Sequence, residues 1–411
     1  MVPARSIASA RCPANRYDLS KRLSDMLILT FDGLTPAALS CYGSSWNQTR
    51  WLDRLAATGT AWDRVVTPTD DPLEQLVRWF ADPRLPAEQT LLVTDATAVS
   101  DHPAADRFAE VVLVDSDAEF AAEAVEETVL GRLAAVAAAR MEDHTHVWLH
   151  SSFLTTTWDA PRELFPVEDL EEDSQEWDEP EDPADWRPLV EEEAGPEEAP
   201  PPIFNGITPP NLLLIGDEHP DLVTAWMRTY GCQVRLIDAV LGVLMPIARS
   251  APVLVAGTSG FALGQNGAVG HRTGPLRSYH LRVPLLASDG TGIRDPQLKS
   301  ADHLARVIDM LDQQKPGHAT SLVPPTDWAA STRDAPAVLT HDSQGVAALT
   351  DPQWYFHLAD EALFLKPDDT DDVNDVARLE PQVAEHLRQR LQSFGQPPPS
   401  GQARSSGQPP S

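Results

Sequence analysis

The 411 residues hold only three cysteines, Cys12, Cys41 and Cys232, with no CxxC pair among them. Neither a disulfide framework nor a zinc finger follows from that spacing, and a reducing compartment suits it. Basic residues are scarce as well. Lys and Arg number 31 against 62 Asp and Glu, leaving a formal net charge of -31. That balance argues against nucleic acid or an anionic membrane as partner, because phosphate contacts need clustered cations. The opening stretch MVPARSIASARCPANRYDLSKRLSD is basic and polar with no apolar core, and no run elsewhere reads as a membrane span. A cytoplasmic protein without a membrane segment is expected. Phosphate-cradling loops are missing too: the glycines of GTSGFALGQNG, residues 257–267, do not form G-x-G-x-x-G, and no Lys-Ser/Thr follows them.

What is present suits a folded α/β protein. Hydrophobic residues make up 42% of the chain, with eleven tryptophans, while 37 prolines signal long loops. Short apolar runs, MLILTF (26–31), TLLVTD (90–95), VVLVD (111–115), HVWLHS (146–151), PVLVAG (252–257) and VPLLAS (283–288), read as strands buried on both faces. Between them, residues 118–140 and 222–249 read as helices. That order predicts a wound, mostly parallel sheet flanked by helices.

Charge is unevenly spread. Residues 162–200 hold seventeen Asp and Glu against Arg162 and Arg187, about half of the net excess. This acidic, Pro-rich stretch interrupts the α/β pattern over about 161–210 and is expected to be a solvated excursion. Residues 163–198 are also a candidate surface for a protein partner, with Trp177 and Trp186 as apolar anchors. The expected organisation is a flexible N-terminus (1–24), an α/β domain (25–290), a C-terminal subdomain (291–395) and a disordered tail (396–411).

Three blocks carry a family resemblance. The first runs from Asp25 to Thr69, where an apolar strand ends at Asp32-Gly33 and is followed by a Cys-Tyr-Gly turn (41–43) and a short helix over 51–57. The second has Tyr230, Val234, Asp238, Val240 and Leu241 on a helix, then Gly260, Leu263, Gly264, Gly267 and Gly270 before Arg282-Val-Pro-Leu285. The third places Leu363–Leu365, Asp368, Asp369 and Asn374 ahead of a last helix, and WDAP at 158–161 adds a short turn. Together they make the chain resemble the sulfatase family of the alkaline-phosphatase-like superfamily. The resemblance implies that family's mostly parallel sheet flanked by helices, a small C-terminal α+β subdomain, and hydrolysis of sulfate or phosphate esters.

It also marks what is absent. In the family a C/S-x-P-x-R motif supplies the nucleophile, whereas the matching region here is VTPTDDPLEQLVRW (66–79), which leaves only Thr67 and Thr69 as weak nucleophile candidates. Two adjacent aspartates usually bind the metal. Here Asp32 is the single matching ligand, and Thr258 and Ser259 stand where the family has Asp-His or Asp-Asn. Replacing carboxylates by hydroxyls removes most of the affinity of a hard-cation site. His271 occupies the place of a sulfate-binding Lys, with Arg272 beside it and Asn266 where a His is common; His150 matches a His before a substrate-facing turn. These four are candidate binding residues.

The plainer readings are a turn-capping Asp32, a loop-tying Asn266, and structural histidines at 150 and 271. His144, His146 and His150 do not form a metal cluster, since four strand residues span about 13 Å. The expected function is a sulfatase-like pseudoenzyme with a binding or regulatory role and no cofactor. One alternative is an active hydrolase using Ca²⁺ or Mg²⁺ on Asp32 with Asp70, Asp71 or Asp95. Another is an interaction protein acting through its acidic stretch.

Overall fold

A computed structural model describes residues 26–166, 200–313 and 337–394, apart from 217, 220, 250, 343 and 344. The expected flexible N-terminus, the tail and most of the acidic stretch lie outside the described residues.

The strands in chain order are β1 (Met26–Phe31), β2 (Thr60–Val66), β3 (Thr90–Thr94), β4 (Glu110–Leu113), β5 (His146–Ser151), β6 (Leu212–Leu213), β7 (Val253–Gly257) and β8 (Ala262–Leu263). They continue with β9 (Ala268–Gly270), β10 (Arg282–Ala287), β11 (Ile293–Ser300), β12 (Val338–Asp342), β13 (Gly345–Thr350), β14 (Trp354–His357) and β15 (Ala362–Leu365). The helices are α1 (Arg50–Thr58), α2 (Pro72–Ala81), α3 (Thr97–Ser100), α4 (Val129–Arg140), α5 (Phe153–Thr156), α6 (Leu222–Ala248), α7 (Ser278–Leu281), α8 (Leu304–Gln313) and α9 (Pro381–Phe394). Every apolar run singled out above forms a strand.

A large sheet has the order β11-β2-β10-β7-β1-β5-β3-β4. All of its strands run the same way except β10, which is antiparallel to both β7 and β2. Period-two alternation sends successive side chains of β1 to opposite faces. Leu27, Leu29 and Phe31 join the core formed with α1, α4 and α6. Met26 and Ile28 join the core formed with α2 and α8, around Trp79, Phe80 and Trp148. Burial on both faces explains why β1 reads as a continuous apolar run.

A smaller antiparallel sheet, β12-β13-β14-β15, packs α9 on one face through Leu349, Phe356, Leu363, Leu387 and Leu391. Its other face meets Val66, Leu281 and Leu298 of the main body through Val338, Tyr355 and Phe364. A short sheet, β6-β9-β8, lies between β7 and β10 in sequence apart from its first strand. Because β11 is the edge strand of the large sheet, the chain of that sheet runs beyond residue 290.

Two elements differ from the sequence expectation. The helix expected over 118–140 begins only at Val129. Thr128 caps it, its hydroxyl accepting from the Gly131 amide at 2.9 Å, and Asp159 accepts from the Val129 amide at 2.6 Å. The preceding chain folds across this start: a Cβ on Gly131 would stand 2.0 Å from the Val125 carbonyl oxygen. Helix α6 is the second. By length and composition it is apolar enough to cross a membrane, which the sequence reading did not register, yet 61% of its most apolar window is buried inside the protein. Asp238 projects from this helix to accept from the Trp51 and Leu52 amides, both at 2.8 Å, so α6 serves as a core helix that caps the start of α1.

The α1–β2 connection relies on close backbone approach. A Cβ on Gly59 would lie 1.9 Å from the Ala287 carbonyl oxygen, and backbone cannot yield as a side chain can. Gly59→Ala is expected to lower stability by at least ~2 kcal/mol. Urea unfolding measures this, and an unchanged midpoint would refute the close approach.

Candidate functional site

In a parallel sheet the carboxyl ends of the strands share one edge, where α/β folds gather reactive groups. Here that edge presents Asp32 after β1, Asp95 after β3, Ser151 and Ser152 at the end of β5, and Thr258 and Ser259 after β7. β2 delivers Thr67–Asp71 to the same edge, and antiparallel β10 delivers its first residues, with His280 in the helix before it. The sequence-named residues thus converge by topology.

Asp32 is 7% exposed, and its Oδ1 accepts from the Thr258 hydroxyl at 2.5 Å. Next to it the Gly33 amide donates to Ser259 Oγ at 2.9 Å. The alignment of Thr258 and Ser259 opposite Asp32 is therefore the register of the fold. Tyr230 of α6 fixes the turn, its hydroxyl donating to the Gly33 carbonyl at 2.7 Å and accepting from the Thr35 amide at 3.3 Å. Gly33 has a φ of +75°, which favours glycine, and a Cβ there would meet Thr155 Cγ2 at 2.6 Å, so a side chain at this position is strained and needs the Thr155 methyl to move.

His150 is fully buried in β5, with Nε2 at 3.7 Å from Asp32 Oδ1 and Nδ1 at 3.1 Å from Thr30 Oγ1. The Thr30 hydroxyl also accepts from Trp148 Nε1 at 2.8 Å. That hydroxyl has its own proton for Nδ1, an assignment that puts the ring proton on Nε2. Burial pushes the imidazole down to about 3, so the ring is neutral.

Burial pushes Asp32 the other way, to about 7; the Thr258 hydrogen bond opposes the rise, and the charges of Asp95 and Asp71 add to it. Asp95 is also buried and shifted upward by desolvation, although Ser151 Oγ (2.5 Å), the Ser152 amide (2.9 Å) and Ser152 Oγ (3.3 Å) all donate to it. The two serines went unnoticed in the sequence. Their signal was the pairing of two strands, TLLVTD and HVWLHS, whose ends had to lie side by side.

The other candidates are held by protein partners. Thr67 donates to the Leu281 carbonyl at 3.2 Å, and Thr69 donates to Glu74 Oε2 at 3.0 Å while accepting from the Asp71 amide. Asp71 caps α2 through the Leu73 and Glu74 amides. Arg272 bridges Asp70 at 3.0 Å and Asp71 at 3.4 Å. His271 Nδ1 lies 3.5 Å from Ser259 Oγ and 3.4 Å from the Gly260 carbonyl, and burial lowers it to about 4. Asn266 donates to the carbonyls of Asp371 and Asp372, tying the glycine-rich loop to the C-terminal segment rather than to itself. His144 precedes β5 and meets Glu110 at 3.2 Å, and His146 meets Asp312 at 3.0 Å, so the three histidines have separate partners. Arg78 lies on α2 and pairs with Asp302.

Two details bear on what the site can bind. Among the described residues no group of three or more His, Cys, Asp and Glu side chains converges as a metal site. The Arg272 backbone is left-handed, with φ +58°, a conformation costing a side-chain-bearing residue about 1 kcal/mol. Its ion pairs are partly exposed, and pairs of that kind contribute roughly 0.2–1 kcal/mol each.

No family model matches the chain, and no curated protein matches it either. Solved structures do. The phosphonate monoester hydrolase of Agrobacterium radiobacter superposes with a TM-score of 0.57 at 14% identity, covering 91% of this chain and 95% of its own. A 2-O GAG sulfatase superposes with a TM-score of 0.55 at 14% identity, covering 91% and 92%. A protein solved in complex with its substrate D-glucosamine-2-N,6-O-disulfate gives 0.60 at 13% identity, covering 91% and 97%. The chain therefore has the fold of sulfatases and phosphonate monoester hydrolases, as the three sequence blocks implied.

The Asp32 shift has a stability consequence whose sign is definite. A carboxyl raised in the folded state contributes stability that is fully present below the unfolded value of 3.8 and is lost as pH rises through about 7. Asp32→Asn keeps an oxygen for Thr258 and removes the titration. Its melting temperature is expected to exceed that of wild type above pH about 7 and to match it near 3.8. Parallel melting curves at all pH values would show that Asp32 ionises freely in the fold.

Proposed function

We propose that this chain is a catalytically inactive relative of the sulfate and phosphonate ester hydrolases whose fold it shares, retained for a binding or regulatory role. The observation that carries the reading is the buried Thr258–Asp32 hydrogen bond. A hard dication in such a site needs several oxygen ligands, most of them anionic. Asp32 is the one carboxylate at the head of β1, Thr258 and Ser259 face it with neutral hydroxyls, and Asp70 and Asp71 already neutralise Arg272. The residues present do not fit Ca²⁺ or Mg²⁺.

The nucleophile argument runs in parallel. Hydrolysis on this scaffold needs an activated oxygen beside a cation. The Thr67 and Thr69 hydroxyls are buried, each donating to a protein acceptor, and neither shares a hydrogen bond with Asp32 among the described residues.

One observation favours the rearranged-hydrolase reading: Asp32, Asp95 and Asp71 lie close enough for the latter two to raise Asp32 by charge. Metal content and turnover separate the two. The purified chain is expected to hold far less than one equivalent of divalent metal. It should hydrolyse aryl sulfates, aryl phosphates and phosphonate monoesters no faster than its Asp32→Ala variant. Stoichiometric Ca²⁺ or Mg²⁺ together with turnover abolished in Asp32→Ala would overturn the proposal. Binding through the acidic residues 163–198 remains a separate proposal for a basic protein partner, tested by pull-down with and without that stretch.

A further inference from the structure

Two elements pack against the residues beside Asp32. One is α5, whose Thr155 stands over Gly33. Phe153 and Leu154 anchor it in the core without exposure, and Trp158 Nε1 donates to the Leu154 carbonyl at 2.7 Å. The other is the turn 271–274 between β9 and α7, which brings His271 against Ser259 Oγ. This turn is held differently. Its backbone passes through positive φ at Gly270 (128°), Arg272 (58°) and Gly274 (73°), and side chains tie it down: Arg272 to Asp70 and Asp71, and Thr273 to Asn211.

Glycine adopts such φ values freely, whereas arginine does so at a cost. The Arg272 ion pairs therefore hold the residue in a conformation its backbone disfavours, and the two effects are of similar size. The side chains are 35% exposed at Arg272 and 44% at Asp71, so solvent and salt reach the pair. A chain of contacts leads inward from it, from the His271 ring to Ser259 Oγ and from there to the Gly33 amide beside Asp32.

We propose that Arg272 is a latch: its bridge to Asp70 and Asp71 holds the 271–274 turn, with His271 against Ser259, beside the buried Asp32, and breaking the bridge lets solvent reach Asp32. The latch is independent of whether the site turns anything over. It joins the amino end of α2 to the turn between β9 and α7, so it couples these two segments.

Hydrogen exchange read by mass spectrometry tests it. Raising ionic strength from ~0.01 M to ~1 M shortens the Debye length from ~30 Å to ~3 Å. In the wild-type chain this is expected to speed exchange in peptides containing the Gly33 and Gly260 amides several-fold, with β14 and β15 unchanged. Arg272→Gln should show the faster exchange already at low salt and lose the salt response, and Asp70→Asn should do the same in part. Arg84→Gln, which breaks the exposed Arg84–Asp82 pair elsewhere, should leave these peptides at wild-type rates. The latch is overturned if Arg272→Gln leaves the Gly33 and Gly260 peptides unchanged. It is equally overturned if exchange rises throughout the chain, β14 and β15 included, since Arg272 would then be a simple structural tie.

Discussion

The arrangement of this protein's site depends on one carboxyl in a dry place. Asp32 sits at the end of β1, the central strand between β5 and β7, and the parallel neighbours leave water almost no approach. A buried carboxylate must be stabilised by a cation, by several donors, or by a proton. Asp95, two strands away, has three donors from Ser151 and Ser152. Asp32 has the Thr258 hydroxyl and a histidine too far away for a hydrogen bond. With one hydroxyl donor beside it, burial raises the Asp32 carboxyl to about 7, so it takes up a proton more readily than an exposed aspartate does.

The surrounding contacts follow from that condition. The Thr258 hydroxyl sits between two acceptors, donating to Asp32 Oδ1 at 2.5 Å with the Phe31 carbonyl 3.3 Å away. A neutral His150 with its proton on Nε2 faces the same carboxyl without adding charge. Charged residues of the site are moved outward: Asp70, Asp71 and Arg272 form their network at the solvent side. The ion pairs of the site thus lie at its rim, while the buried Asp32 and Asp95 at the strand ends are met by hydroxyl and amide donors.

The sheet was legible in the sequence because strands buried on both faces write themselves as continuous apolar runs, and six of them could be read directly. The Asp32–Thr258–Ser259 juxtaposition was legible because the glycine-rich frame after β7 fixes the register within a residue. Other features were hidden for physical reasons. The start of α4 at Val129 depends on Asp159, thirty residues later, accepting its first amide, which local propensity cannot show. The burial of α6 depends on the sheet it covers, so its composition alone also suits a lipid environment. Ser151, Ser152 and Tyr230 act on partners reached only through strand pairing and helix packing, and a single residue's type carries no mark of such partners.

Steric room at position 33 limits what the turn after β1 can carry. Gly33 follows Asp32 with a positive φ, and a Cβ there would collide with Thr155 and press on Phe261. A side chain at position 33 thus requires the Thr155 methyl to give way, on a helix that Phe153 and Leu154 anchor in the core beside Trp158, which packs on Tyr230 and Phe261. Tyr230 in turn clamps the Gly33 carbonyl and the Thr35 amide. The aromatic cluster therefore stabilises the turn in a form that suits glycine at position 33. Packing and local backbone are coupled here: the same contacts that make the turn rigid hold Gly33 in the left-handed conformation that disfavours a side chain beside Asp32.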